Sequence, residues 1–135
     1  MNVKPRTIIY SLGLLFLASC NSSNSENESW PKTALVHSDG GSVYEMNLES
    51  SKEIMTFYEA QKYASSYGDN WRLPTLIELI TLRYKGGNKY LDISTYWSSD
   101  VSNDGTVKVY NFYIDEIDYE MKNEYNYVIL VRKVK

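Results

Sequence analysis

"WRLPTLIEL", residues Trp71 to Leu79, is the stretch on which the reading of this chain turns. Pro74 biases Leu73 toward an extended backbone, so Trp71 to Leu73 reads as a strand-like approach to a corner. Thr75 and Glu78 then form a capping box, in which each side chain satisfies a free amide of a first helical turn. Leu76, Leu79, Ile80 and Arg83 follow at helical spacing, and "KGG", Lys85 to Gly87, ends the helix. No nucleophile or set of metal ligands lies beside the corner. It reads as structure rather than chemistry, with Trp71 and Leu73 expected to plug the core.

The segment before it has the same grammar. In "TFYEAQKYASSYG", Thr56 and Glu59 make a first capping box, Phe57, Ala60, Ala64 and Tyr67 share one face, and Gly68 terminates the helix. Further upstream, "TALVH" (Thr33 to His37), the turn "SDGG" and "SVYEMNL" (Ser42 to Leu48) predict a hairpin. Downstream the signals change to strand. "TYWSSD" is short and aromatic. "TVKVYNFYID" sets Val107, Val109, Asn111 and Tyr113 against Lys108, Tyr110, Phe112 and Ile114, and "NYVILVRKV" closes the chain with two apolar faces. Strands of that kind sit centrally in a covered sheet. Asp115 to Glu124 reads as a charged hairpin or protruding loop. Early helices and late strands imply an α+β domain with a mainly antiparallel sheet.

The N-terminus reads as an address. Lys4 and Arg6 precede an apolar run from Ile8 to Leu17, too short to span a bilayer, and "LASC" ends at Cys20. This resembles the lipobox of bacterial lipoproteins, which implies cleavage before Cys20, lipid on its sulfur and acylation of the new amino terminus. Several acyl chains together give stable membrane retention, each buried methylene contributing roughly 0.8 kcal/mol. "NSSNSENES" has no aliphatic or aromatic side chain and reads as a tether, reaching at most about 30 Å. The expected organisation is a signal peptide at 1–19, lipidated Cys20 with a tether to 29, and one domain from 30 to 135. The expected location is the bacterial cell envelope. Asn21 stands where aspartate resembles an inner-membrane retention signal, which favours the outer membrane.

Without Lys4 and Arg6, the 14 basic residues fall to 12 against 17 acidic, a net charge of −5. Such a surface does not attract nucleic acid by its bulk field. Cys20 is the single cysteine, so an internal disulfide is excluded. The composition stands out in its 13 tyrosines, which suit both sheet surfaces and binding sites.

Taken in order, the "EAQKYA" helix, Trp71, Arg72, Leu73, Pro74 and Thr75 with Glu78 and Leu79, then Tyr96, Trp97, Ser98 and Ser99, and finally Val131, Arg132 and Val134 resemble the Lcl C-terminal domain-like family. The resemblance spans about Met55 to Val134. Its corner is similar to that of the formylglycine-generating enzyme group and of the major paralogous lipoprotein domains. It implies a C-type-lectin-like fold: two helices flanking a twisted, mainly antiparallel sheet, with the chain ends close together. Two departures stand out. "ESSKEIMTF" replaces the family's Thr-Gly-Leu-Met-Trp segment, and Lys133 replaces its closing cysteine. The calcium triplets of the more distant lectins, Glu-Pro-Asn, Gln-Pro-Asp and Trp-Asn-Asp, do not occur in this sequence.

Catalysis finds little support in the residue types. Formylglycine-type chemistry needs thiols, related iron enzymes need several histidines where His37 is alone, and Ser98 and Ser99 lack a partner base other than His37. Asp115 with Asp118 suggests a glycosidase pair only superficially, since loop carboxylates are usually solvated. No cofactor or metal is expected. Binding remains, either of a glycan or protein ligand or, as a structural lipoprotein, of another envelope protein. The candidate surface is Trp97, Asp100, Tyr110, Tyr113, Asp115 and Tyr119, where aromatic faces stack on a ligand and carboxylates orient it. For each tyrosine the competing assignment is a half-buried sheet residue, and for Trp97 it is the core.

Overall fold

Thr56 and Thr75 each start a helix as their sequences dictate. Both side chains accept from the amide three residues on, at 3.2 Å, and both glutamates return to the cap amide at 2.9 Å. Helix α1 is Phe57–Tyr67 and helix α2 is Leu76–Tyr84. The computed structural model describes residues 31–134; the expected signal segment, Cys20 and the tether to residue 29 lie outside the described residues.

Among the described residues there are eight strands: β1 (Thr33–His37), β2 (Val43–Asn47), β3 (Ile54–Met55), β4 (Thr95–Val101), β5 (Val107–Asn111), β6 (Glu116–Glu120), β7 (Asn126–Tyr127) and β8 (Leu130–Lys133). They form two sheets rather than the one expected. Three strands run in the order β1-β2-β8, all antiparallel, and five in the order β3-β7-β4-β5-β6, antiparallel except where β4 meets β7. The terminal segment, which reads as one continuous strand, is divided between them. Val128 and Ile129 interrupt it, and the chain passes from the larger sheet to the smaller. The fold class is α+β.

The alternation of the sequence decides which face each residue joins. On one face of the five-stranded sheet, Trp97, Val107 and Val109 pack with Phe57, Ala60 and Ala64 of α1. On the other, Tyr96, Tyr110 and Phe112 pack with Leu76, Leu79 and Leu82 of α2, joined by Val36 and Met46 from the smaller sheet. Val128 and Leu130 enter the first core while Ile129 and Val131 enter the second. The two apolar faces of the last segment therefore feed two cores, and a one-residue slip would exchange them. Ser50 fixes the register: buried in the 3-10 turn Ser50–Lys52, its hydroxyl donates to Asn47 O at 2.6 Å and accepts from Leu130 N at 2.9 Å.

The Trp71–Thr75 corner and the first residue of α2 are bonded to two strands, β8 and β4. Arg72 pairs with Val131 in both backbone directions (3.0 and 2.9 Å), Ser99 N donates to Pro74 O (2.8 Å), and Leu76 N donates to Asp100 Oδ2 (2.8 Å). Leu73 is buried as expected. Trp71 is only partly buried: it packs against the core on the α1 side without filling it, so the expectation that it plugs the core holds in part. Its ring lies under the Arg132 guanidinium at 4.6 Å, and Arg132 in turn donates to Glu45 Oε2 at 2.7 Å. The wide indole fits a cation–π stack at the rim of the domain. Among the described residues no helix is long and apolar enough to cross a membrane.

Candidate functional site

The six candidate residues fall into two groups that do not form one surface. Trp97 and Asp100 sit on β4. The Trp97 ring is wholly buried, its indole N–H donates to Met55 O at 2.8 Å, and Phe57 meets it edge-on at 5.5 Å. It belongs to the core, and that corrects its place in a ligand surface. Asp100 is half-buried and caps the first turn of α2 through Leu76 N, so its carboxylate stabilises the helix N-terminus. Tyr110 is also buried, 3% exposed, and packs against Phe112 at 5.7 Å. Loss of water around its hydroxyl, and then a hydrogen bond with Tyr84, pushes its pKa up to about 12.

The other three residues stand together on the β5–β6 hairpin. Tyr113 is 77% exposed at the turn, Tyr119 is 55% exposed on β6, and Asp115 lies between them with a φ of 56°. That left-handed backbone is one that aspartate adopts more readily than most side chains. The Asn111 carboxamide accepts from Tyr113 N at 2.8 Å and stiffens the turn. Arg83, near the end of α2, donates to Asp115 at 2.9 Å and clamps the hairpin to the body. A carboxylate expected to orient a ligand thus holds the fold instead.

The chain matches no protein-family model, and no curated protein is significantly similar to it. What the site can do rests on its geometry.

Residues 116–120 form a strand paired with β5, where the sequence left a hairpin or a protruding loop open. Ile117 stands opposite Tyr110 and Tyr119 opposite Lys108, on the face covered by α2, while Glu116, Asp118 and Glu120 occupy the other face. Every side chain from Glu116 to Tyr119 is exposed, because β6 extends past both helices at the edge of the sheet. The signal was present as strict alternation in "EIDYE". Its charge density left hairpin and protruding loop both open. With Tyr84 (63% exposed) at the end of α2, and Ile114, Ile117, Tyr113 and Tyr119 on the hairpin, the outer surface here is aromatic and aliphatic.

Elsewhere, Ile54, Met55, Glu59, Lys62, Tyr63 and Ser66 line an open depression of about 550 Å³. It is shallow and mostly apolar. Among the described residues no group of three or more His, Cys, Asp or Glu side chains is arranged to hold a metal ion. His37 is exposed at the end of β1.

Proposed function

We propose that this chain is a membrane-anchored, extracytoplasmic bacterial lipoprotein whose domain is a non-catalytic binding module, held to the envelope through lipid on Cys20. The observation that carries the reading is the β5–β6 hairpin, which presents Tyr113, Ile117 and Tyr119 outward while Arg83 and Asp115 fix it to the body. Exposed aromatic residues on a rigid support are an economical binding surface, since tyrosine offers large area for few rotatable bonds. Helices on both faces of a mainly antiparallel sheet, with a capped corner at Trp71 to Glu78, support a C-type-lectin-like fold and membership of the Lcl C-terminal domain-like family.

A protein ligand fits the surface better than a glycan. Asp100 and Asp115, the carboxylates that would grip sugar hydroxyls, are engaged by Leu76 N and by Arg83. The same observation favours the second reading, an assembly lipoprotein that binds another envelope protein. Two experiments test these readings. Mass spectrometry of the mature N-terminus, with Cys20→Ser as control, should find acyl chains; an unmodified chain recovered from the aqueous phase rejects the anchor. A glycan array, alongside cross-linking in envelope membranes, should give a partner lost on Tyr113→Ala with Tyr119→Ala. Turnover of a substrate with neither metal nor thiol added would reject the binding module.

A further inference from the structure

The β6 edge combines three features that together define a ligand chemistry. Among the described residues it is a free edge: the five-stranded sheet ends there, with β5 on one side only. Its backbone offers hydrogen bonds outward. Phe112 N donates to Ser94 O, so the even-numbered residues of β5 turn their backbone to β4 and leave Lys108 and Tyr119 a non-hydrogen-bonded pair. Among the described residues Tyr119 N–H meets the carboxylate of its neighbour Asp118, at 2.8 Å. Antiparallel ladders alternate, so Ile117 two residues earlier presents its backbone to the same side. Finally, the two faces differ in character, with Ile117 and Tyr119 on one and Glu116, Asp118 and Glu120 on the other. None of these three carboxylates is within ion-pair distance of a cation among the described residues.

We propose that β6 is a strand-addition site for an extended segment of a partner protein in which basic and apolar side chains alternate. The incoming strand would pair with the outward backbone groups of Ile117 and Tyr119, the geometry of β-augmentation. Its basic residues would lie beside Glu116, Asp118 and Glu120, and its apolar residues beside Ile117 and Tyr119, because cross-strand neighbours share a face. Binding displaces the Asp118 carboxylate from Tyr119 N–H. A partner carbonyl takes that proton donor, and the freed carboxylate meets an incoming ammonium or guanidinium. This inference rests on the binding-module reading and names its ligand.

Charge excludes the two nearer occupants. A second copy paired antiparallel about Asp118 would set Asp118 against Asp118 and Glu116 against Glu120, and like charges directly opposite destabilise a sheet. The chain's own segment before the domain, "NSSNSENES", carries two glutamates and no cation.

The test uses the full chain in an uncharged detergent and a fluorescent eight-residue peptide of alternating lysine and valine. Two control ligands accompany it: a glutamate–valine peptide, and the peptoid of the lysine–valine sequence, which keeps the charges but has no amide N–H. The lysine–valine peptide is expected to bind at least about tenfold more tightly than either control. Added salt should weaken it, and Glu116→Lys with Asp118→Lys should transfer the preference to the glutamate peptide. Peptoid binding equal to that of the peptide overturns strand addition, as attraction of charge alone would explain it. No peptide binding, with a partner still captured in a Tyr113- and Tyr119-dependent way, overturns strand addition and leaves the binding module standing. Loss of both overturns both. A dimer of the chain that the peptide displaces assigns the edge to a second copy and also overturns the proposal.

Discussion

Arg72 donates to both carboxylate oxygens of Glu78, at 2.7 and 2.8 Å, and Glu78 at the same time closes the capping box of α2. One side chain thus ties the corner strand to the helix that follows. The guanidinium fork matches a carboxylate in a way that lysine does not.

The two capping boxes provide a comparison within one molecule. Glu59 closes its box in solvent, whereas Glu78 is less exposed and also holds Arg72. Glu59→Ala is expected to cost about 0.5–1 kcal/mol, and Glu78→Ala about 2–3 kcal/mol. Urea unfolding of both variants checks this; equal losses would show that the Arg72 pair contributes nothing.

Trp97 and Tyr113 separate core from surface. Trp97→Ala removes a wholly buried ring and leaves Met55 O without its donor, so a loss of about 3–5 kcal/mol is expected. Tyr113→Ala should stay within about 0.5 kcal/mol while reducing ligand capture. Thermal melts of the two variants measure the contrast. A large loss for Tyr113→Ala would mean that the hairpin tip is structural.

Tyr110 gives an alkaline signature. Its pKa is pushed up to about 12, first by burial and then by the Tyr84 hydrogen bond. A raised phenol favours the protonated folded state, so its contribution to stability is full below about pH 10 and is lost as the pH climbs through 12. Spectrophotometric titration should show several late tyrosines, since burial raises Tyr63 and Tyr96 as well; Tyr110→Phe should remove the one that titrates near 12. In Tyr84→Phe it should shift down but remain late, because burial is the larger cause.

Glu120 works in the opposite pH range. Partial burial, then Asp118 and Glu124, raise its carboxyl above the ordinary glutamate value. The folded state therefore favours protonated Glu120, and a penalty appears as pH rises through its folded pKa. Glu120→Gln should raise the melting temperature at neutral pH, with the gain closing as the pH falls through about 4. A gain that persists in acid would point to a cause other than charge.

The sequence by itself determined the local elements. Both helices, their caps at Thr56 and Thr75, and the β1–β2 hairpin follow from side chains that act within a few residues, through capping hydrogen bonds and periodic burial. The alternating faces of Val107 to Phe112 and of Val128 to Val131 were legible for the same reason, since a strand's period needs no knowledge of its partners. Tertiary structure decided the rest. It divided the last segment between two sheets, placed Trp71 at the rim under Arg132, took Trp97 and Tyr110 into the cores, and engaged Asp100 and Asp115 in helix capping and ion pairing. It also turned "EIDYE" into an exposed edge strand. The physical reason is distance along the chain. Asp100 meets Leu76 across 24 residues and Asp115 meets Arg83 across 32, and no local pattern reports which carboxylate will be engaged and which face will stay open.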